Sequence, residues 1–545
     1  MLISRNLTRV YVPIICFLGL LFSPLSIAAQ KSELSSEFHK KQRQQLREKL
    51  PNNSVAVYFS APVRNRANDV DFEYHPDPNF YYLTGWNEPH AVLIVYSSPQ
   101  KDLEGTYFEK LYVRERDANN EMWNGRQLGV EGARKMGLDR VASKKDFSTE
   151  QNDFSRFDSV LMFDFKNDVR DNKNDSSDLF DLQKHFKNVI NYPDNFDADR
   201  YRLYQRIRSA VESEVIPLKK RIYYMMERDS SLKDDPVIID FIRVGEGTVL
   251  TDLKKQSAFL LKDYNFDINQ LGSFMASLRE NKTEEEILLI KKAVRISTQG
   301  QLEVMKAIHP EMTEREVQGI HQLVFKKYGA AHEGYPSIVG AGDNACVLHY
   351  ITNDKTDLKN QLILMDLGAE YKGYTADVTR TIPVSGTFTP EQKALYQIVY
   401  DAQAAGINAA VAGASFTAIS EATYEVVKTG LLELGLIQES KEYRRYLPHG
   451  IAHHIGLDVH DPGLYENLAP NMVITVEPGI YVPEGSPCDP KWWNIGIRIE
   501  DDILITAEGP VNLSKDAPRS WQEIEKVMLE KSALDDFILP PLTID

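Results

Sequence analysis

Asp366, Asp377, His453, Glu477 and Glu500 stand in this order within short apolar segments of the last third of a 545-residue chain. Four carboxylates and one imidazole form an oxygen-rich ligand set, which suits hard or borderline divalent ions such as Mn²⁺ better than a thiolate-preferring metal. Two such ions about 3.5–4 Å apart can bind one water between them, lower its pKa and stabilise the oxyanion formed when it attacks a carbonyl. The chemistry to expect is metal-assisted hydrolysis. Taken singly, each residue has a plainer reading: Asp366 or Asp377 can form a salt bridge with Arg380 or Lys372, and a lone histidine is more often structural. Density argues the other way, because His449, His453, His454 and His460, four of the chain's twelve histidines, fall within twelve residues.

The elements that must hold these side chains are legible around them. Asp366 interrupts Leu362-Ile363-Leu364-Met365, a run that reads as buried strand, and a buried carboxylate needs a partner. Asp377, in Tyr374-Thr375-Ala376-Asp377-Val378-Thr379-Arg380, returns on the next strand, joined to the first by only Gly368 to Gly373. Glu477 follows Ile474-Thr475-Val476 and precedes Pro478-Gly479, a strand ending in a turn, while Glu500 sits between Gly496-Ile497-Arg498-Ile499 and Asp501-Asp502. Thr283-Glu284-Glu285-Glu286 is a capping box that opens a new domain. From there, helical patterns at 287–308, 313–328, 390–411 and 415–435 interleave with strand patterns at 362–367, 374–384, 472–477 and 497–506. The expected fold is α+β, with a curved, mostly antiparallel sheet in a catalytic domain at 283–512 and a tail at 513–545. A smaller α/β domain occupies 31–282. It has a charged helix near 31–50, strands at Val55-Ala56-Val57-Tyr58-Phe59 and Ala91-Val92-Leu93-Ile94-Val95-Tyr96, and a polar loop at 166–180. A helix is expected from Asp197 to about Glu227.

With 42% hydrophobic and 26% charged residues, the chain is neither disordered nor polytopic. Its net charge of -16, with no Lys/Arg block, argues against nucleic acid as a partner. Arg5 and Arg9 precede an apolar run from Val10 to Phe22 and the small residues Ser26, Ala28 and Ala29. That is the pattern of a signal peptide cleaved after Ala28, so the chain is expected to be exported, to a periplasm or outside the cell, with no stable membrane span afterwards. The run is too short for a bilayer-spanning anchor. Cleavage would leave Cys346 and Cys488, in loop-like flanks and without the spacing of a zinc site.

These segments resemble the pita-bread metallopeptidases, most closely their X-prolyl aminopeptidase (aminopeptidase P) and prolidase branch. Five ordered motifs carry the resemblance: Ile338-Val339-Gly340-Ala341-Gly342 through Leu348-His349-Tyr350; Met365-Asp366-Leu367-Gly368 through Asp377-Val378-Thr379-Arg380-Thr381; residues 449–461; Thr475-Val476-Glu477-Pro478-Gly479; and Gly496-Ile497-Arg498-Ile499-Glu500-Asp501. In the first half, Asn79-Phe80-Tyr81-Tyr82-Leu83-Thr84-Gly85 and Arg116-Asp117 through Trp123-Asn124-Gly125-Arg126 resemble the family's non-catalytic domain. The stretch from about 195 to 275 departs from the pattern and reads as an enlarged insert.

The resemblance implies a pita-bread catalytic domain with two divalent ions, Mn²⁺ being the expected metal. Asp366 and Asp377 would bind the first ion, His453 and Glu477 the second, with Asp377 and Glu500 bridging. A hydroxide between the ions would be the nucleophile and Glu477 its proton carrier. His349 and His460 match histidines that contact substrate and stabilise charge in the transition state; His449, Tyr335 and Arg498 match residues around the proline pocket. His454 occupies a position that is often bulky and aromatic, which suggests a change in pocket polarity. Trp123 resembles an aromatic that reaches an active site across a subunit boundary in some members, which leaves room for a homo-oligomer. The implied substrates are peptides with N-terminal X-Pro. The bond before proline is a tertiary amide without N–H. Three alternatives stand beside an X-prolyl aminopeptidase: an X-Pro dipeptidase, a non-hydrolysing binding protein on the same fold, and a metal-free creatinase-like hydrolase, the last two disfavoured by the full ligand set.

Overall fold

The computed structural model describes residues 33–150, 152–165, 169–170, 172–243, 248–260 and 264–536, so the expected signal segment lies outside the described residues. In the first domain, six strands form one sheet in the spatial order Arg140–Ser143, Gly105–Val113, Val92–Asp102, Ser54–Phe59, Ser159–Met162, Phe266–Asp267. The middle strands pair antiparallel and the flanking ones parallel. Both faces of the central strands are covered, which is why Val55–Tyr58 and Val92–Tyr96 read as continuous apolar runs instead of alternating ones. Alternation still sorts the side chains. Ala56, Tyr58, Leu93 and Val95 pack with Phe38 and Leu46 of the helix Ser36–Lys49, while Val55, Val57, Val92 and Ile94 pack with Leu182 and Phe186 of the helix Leu179–Val189.

The helix expected from Asp197 to Glu227 is two helices, Ala198–Ser209 and Val215–Arg228. Pro217 supplies the reason: it has no N–H to donate four residues back and its ring crowds that carbonyl, so the helix restarts with Pro217 in its first turn. With Pro236–Arg243 and Thr248–Leu260, these helices enclose a small core of their own, including Leu203, Ile207, Ile222, Ile238 and Phe241. The described residues of the insert read at about 195–275 are therefore mainly helical up to Leu260; Phe266–Asp267 rejoins the sheet and Gln270–Arg279 leads to the second domain. The loop expected to be exposed at 166–180 buries Ser177 and Asp178 and ends where the helix beginning at Leu179 starts.

In the second domain the long helices fall close to their sequence patterns: Glu284–Ala307, Glu314–Lys327, Pro390–Ala409 and Thr417–Glu433. Thr283 and Thr313 cap the first two, each closing a capping box with a glutamate three residues on. The helices back small antiparallel sheets: Ile338–Ala341 with Leu362–Asp366 and Thr379–Pro383; Val473–Val476 with Asp501–Thr506 and Gly509–Asn512; and Gly479–Val482 with Ile495–Arg498. Two strands expected to run unbroken do not. The 374–384 pattern divides into Tyr374–Thr375 and Thr379–Pro383, and the 497–506 pattern into Ile495–Arg498 and Asp501–Thr506. The segment read as a tail folds back: the helix Trp521–Val527 lies on this domain, with Ile524 buried in its core.

The two domains share one hydrophobic core, in which Phe80, Tyr82 and Trp86 meet Tyr374, Ile455 and Leu457. Arg279, 2% exposed, crosses between them, donating to Asn79 Oδ1 (2.8 Å), Asp458 Oδ2 (2.9 Å) and Asp461 Oδ1 (2.5 Å). Cys346 and Cys488 are free thiols. No helix among the described residues is long and apolar enough to cross a membrane.

Candidate metal centre

The two strand interruptions coincide with Asp377 and Glu500. At residues 377–378 side chains take over from the sheet's ladder: Asp377 N donates to Asp502 Oδ2 (3.0 Å) and the Val378 carbonyl accepts from Gln301 Nε2 (2.9 Å), which also reaches the Met365 carbonyl (3.1 Å). Asp366 ends its strand, Glu477 stands between Val473–Val476 and Gly479–Val482, and Glu500 stands between Arg498 and Asp501. Asp366 is thus held at the paired end of its strand, while Asp377, Glu477 and Glu500 stand in the breaks between strands. His453 belongs to an extended segment beside Val473–Val476, fixed by Thr475 N donating to His453 O (2.9 Å) and Glu477 N to Ile451 O (2.8 Å). Close approach needs Gly368, where a Cβ would meet Ala376 O at 1.8 Å.

All five expected ligands line one cavity of about 590 Å³, together with Tyr335, His349, His449, His460 and Arg498. Its remaining wall is largely apolar, with Ile338, Leu348, Ile351 and Val459. Asp377, His453 and Glu500 each offer a ligand atom within 4.8 Å of the others. His453 Nδ1 faces the His454 carbonyl at 3.0 Å, and a carbonyl only accepts, so Nδ1 carries the hydrogen. That leaves Nε2 turned to Asp377 Oδ2 (3.5 Å) and Glu477 Oε1 (3.6 Å), as a ligand requires.

The electrostatics are those of a site built for cations. Three buried carboxylates and the half-buried Glu477 face one guanidinium, Arg498, which donates through Nη2 to Asp366 Oδ2 (2.6 Å) and through Nη1 to the Tyr481 hydroxyl (2.9 Å). The Tyr335 hydroxyl lies 2.6 Å from both Asp366 Oδ1 and Asp377 Oδ1, and its single hydrogen satisfies one of them. Burial and then the neighbouring carboxylates, Asp377 first, push Glu500 well above its ordinary range; burial and Asp366 raise Asp377. Burial, offset by His453 and reinforced by Asp377, brings Glu477 to about 7. For Asp366, burial is outweighed by Arg498 and Tyr335, which hold it low. Burial pulls His453 down, but Asp377 and Glu477 outweigh it and leave it at about 9, so with no ion bound Nε2 also carries a proton, which a metal ion would displace. Burial, with the charge of Arg498, lowers His449 to about 4; its Nδ1 donates to Gly450 O (2.6 Å), so Nε2 accepts from the Tyr481 hydroxyl (2.9 Å). This excess of crowded, under-neutralised oxygen donors fits divalent ions.

His454 does not line the cavity. It is fully buried behind it, against Phe416 and Tyr465 at ring distances of 5.2 and 4.9 Å, so it leaves the polarity of the pocket unchanged. Trp123 is also apart, 79% exposed on the short helix Ala118–Asn124 of the first domain. The structure adds residues the sequence reading missed. Thr379 donates to Glu500 Oε2 (2.6 Å), and Tyr481 links His449 to Arg498. Tyr481 had a signal: in the buried strand Gly479–Val482 it alternates with Ile480 and Val482, and a buried hydroxyl needs partners.

Residues 289–507 match the family model of metallopeptidase family M24, and residues 39–160 match that of the aminopeptidase P N-terminal domain, leaving the helical insert outside both. The Xaa-Pro aminopeptidase of Escherichia coli is 29% identical over 511 residues, covering 91% of this chain and 99% of the relative. Xaa-Pro aminopeptidase 1 of Streptomyces coelicolor is 40% identical over 277 residues, 48% of this chain and 56% of the relative. Among solved structures, E. coli aminopeptidase P with the inhibitor Pro-Leu superposes with a TM-score of 0.70 at 28% identity, over 91% of this chain and 99% of that one. An aminopeptidase from Pseudomonas aeruginosa gives 0.71 at 27%, over 91% and 98%.

Proposed function

From a chain that belongs to metallopeptidase family M24, in its aminopeptidase P branch, we infer a metal-dependent peptidase that removes the N-terminal residue from peptides whose second residue is proline. One observation carries the chemistry: four carboxylates and a correctly tautomerised histidine converge on one cavity with too few donors to satisfy them. Two divalent ions bound there would polarise the carbonyl before proline and acidify a water molecule. We propose Asp366 and Asp377 as ligands of one ion and His453 and Glu477 of the other, with Asp377 and Glu500 shared.

The residues themselves supply the rest. Glu477 takes a proton from the attacking water and returns it to the leaving proline nitrogen. His349 and His460 stand on the cavity wall as donors toward the carbonyl oxygen. His449, neutral and held through Tyr481 to Arg498, with Tyr335 opposite, forms a polar edge to an otherwise apolar pocket suited to the proline ring. Trp123, exposed beside Met122, is proposed to meet substrate only across a subunit boundary in a homo-oligomer. We propose Mn²⁺ as the working metal, and export, on the strength of the Arg5–Arg9 and apolar-run pattern; N-terminal sequencing of the mature protein tests the latter, with Ala29 expected first.

Chelation should abolish cleavage of an X-Pro-Y-Z tetrapeptide, and re-addition of single metals should restore it, Mn²⁺ best. Cleavage confined to the X-Pro dipeptide would replace this reading by an X-Pro dipeptidase. Full activity in chelator would overturn it.

A further inference from the structure

Behind the metal centre lies a second buried network that no ligand role explains. Arg380, fully buried in the strand Thr379–Pro383, uses all five of its N–H groups. Nη1 donates to the carbonyls of Thr379 (2.8 Å) and Glu500 (2.7 Å). Nη2 donates to Asp501 Oδ1 (2.6 Å) and Ala517 O (3.0 Å), and Nε to Pro518 O (2.9 Å). Glu500 N in turn donates to Thr379 O (3.1 Å), and the Thr379 hydroxyl to Glu500 Oε2. One guanidinium therefore fastens the Glu500 carbonyl, in the break between two strands, to a segment arriving from the C-terminus.

That segment reaches a second ligand as well. Asp501 Oδ2 accepts from Gln403 Nε2 (3.1 Å), which also donates to Val476 O (3.0 Å), the carbonyl just before Glu477. Gln403 Oε1 accepts from Arg519 Nη1 (3.2 Å), and the Arg519 carbonyl accepts from the Tyr396 hydroxyl (2.9 Å). Residues 517–519 thus complete a chain of hydrogen bonds ending on the main chain at both glutamates.

We infer that Arg380 is a positioning residue for Glu500, and that the C-terminal segment at 517–519, through Arg380 and Gln403, is part of the apparatus that sets the geometry of the metal centre. This rests on the proposed ligand role of Glu500. A lysine has three donors on a tetrahedral nitrogen and cannot span four carbonyls and a carboxylate, so charge alone cannot substitute.

The test uses the full chain and two variants, Arg380→Lys and Tyr396→Phe, with thermal midpoint, Mn²⁺ affinity and stoichiometry by calorimetric titration, and kcat and KM on the tetrapeptide. Arg380→Lys should weaken the more loosely held ion at least about tenfold and lower kcat about 10–100-fold, with KM changing less than about threefold, the loss of hydrogen bonds to a charged group setting the scale. Tyr396→Phe, which removes one hydrogen bond far from the ligands, should weaken that ion about two- to fivefold. Wild-type ion affinity in folded Arg380→Lys, with only the thermal midpoint lowered, would overturn the inference and leave a merely structural arginine. Should Arg380→Lys not fold, unchanged ion affinity in Tyr396→Phe overturns it. A wild-type protein that binds no divalent ion would instead remove the metallopeptidase reading itself.

Discussion

At the scale of the residue, the site separates groups that hold position from groups that move protons. With no ion bound, Glu477 is raised to about 7 by burial and by the carboxylate of Asp377, against the charge of His453, and among the described residues no hydrogen bond ties its side chain to one protonation state. Glu477→Gln keeps the shape but cannot carry a proton, so kcat on an X-Pro-Y-Z peptide should fall about 10²–10⁴-fold, with thermal stability unchanged or higher because a crowded charge is removed. A residual kcat within tenfold of wild type would reassign the proton carrier. Arg498 is the guanidinium among the carboxylates, forked between Asp366 and Tyr481. Arg498→Lys should cost about 1.5–3 kcal/mol of transition-state stabilisation, read as roughly a 10–100-fold loss in kcat/KM, because an ammonium cannot make both bonds in one plane. The residue types of the ligand set were legible in sequence because acids inside apolar runs are costly unless they bind something. Tyr481, Thr379 and Gln301 were not, because a hydroxyl or amide in a buried segment betrays a need for partners without saying which ones.

At the scale of the element, the long helices were readable from capping boxes and apolar spacing, and the strand runs from their composition. The breaks at Asp377 and Glu500 were not. A strand leaves its ladder only when distant side chains take over its main-chain hydrogen bonds, and Asp502, Gln301 and Arg380 lie 125, 77 and 120 residues from the groups they serve. The split at Pro217 was a local signal that apolar periodicity obscured. Gln301 allows the substitution of side chain for ladder to be tested. It leaves the helix Glu284–Ala307 and donates to the carbonyls of Met365 and Val378, beside Asp366 and Asp377. Gln301→Leu strands the buried Val378 carbonyl and removes one bond from that of Met365, and should lower unfolding stability by about 1–3 kcal/mol in denaturant titration while weakening metal binding. A variant as stable as wild type would mean that water replaces the amide without cost.

At the scale of the whole molecule, the two domains are welded by a common core and by the buried Arg279 and Lys282 on Asp461, so a charge imbalance in either is felt by both. Two histidines bear on this, one in each domain. His39, in the helix Ser36–Lys49, is lowered by burial to about 4, with its Nδ1 donating to Tyr82 O (2.9 Å). His321, in the helix Glu314–Lys327, is lowered by burial to about 3, and neither ring nitrogen has a hydrogen-bond partner among the described residues. Both are neutral in the folded state where an unfolded chain, with histidines near 6.5, takes up protons. Their contribution is therefore fully present above pH 6.5 and is lost as pH falls toward 4 and 3, where the slope flattens. At about 1.4 kcal/mol per pH unit of displacement, His39 accounts for at most about 3.5 kcal/mol of that loss and His321 for at most about 5. His321→Leu removes the titrating ring without breaking a hydrogen bond, so stability at pH 7 should stay within about 1.5 kcal/mol of wild type, while the decline between pH 6.5 and 3 becomes shallower. Denaturant midpoints measured across that range decide it: parallel curves for wild type and variant would mean that His321 does not titrate on unfolding and that acid sensitivity arises from the carboxylates of the metal centre.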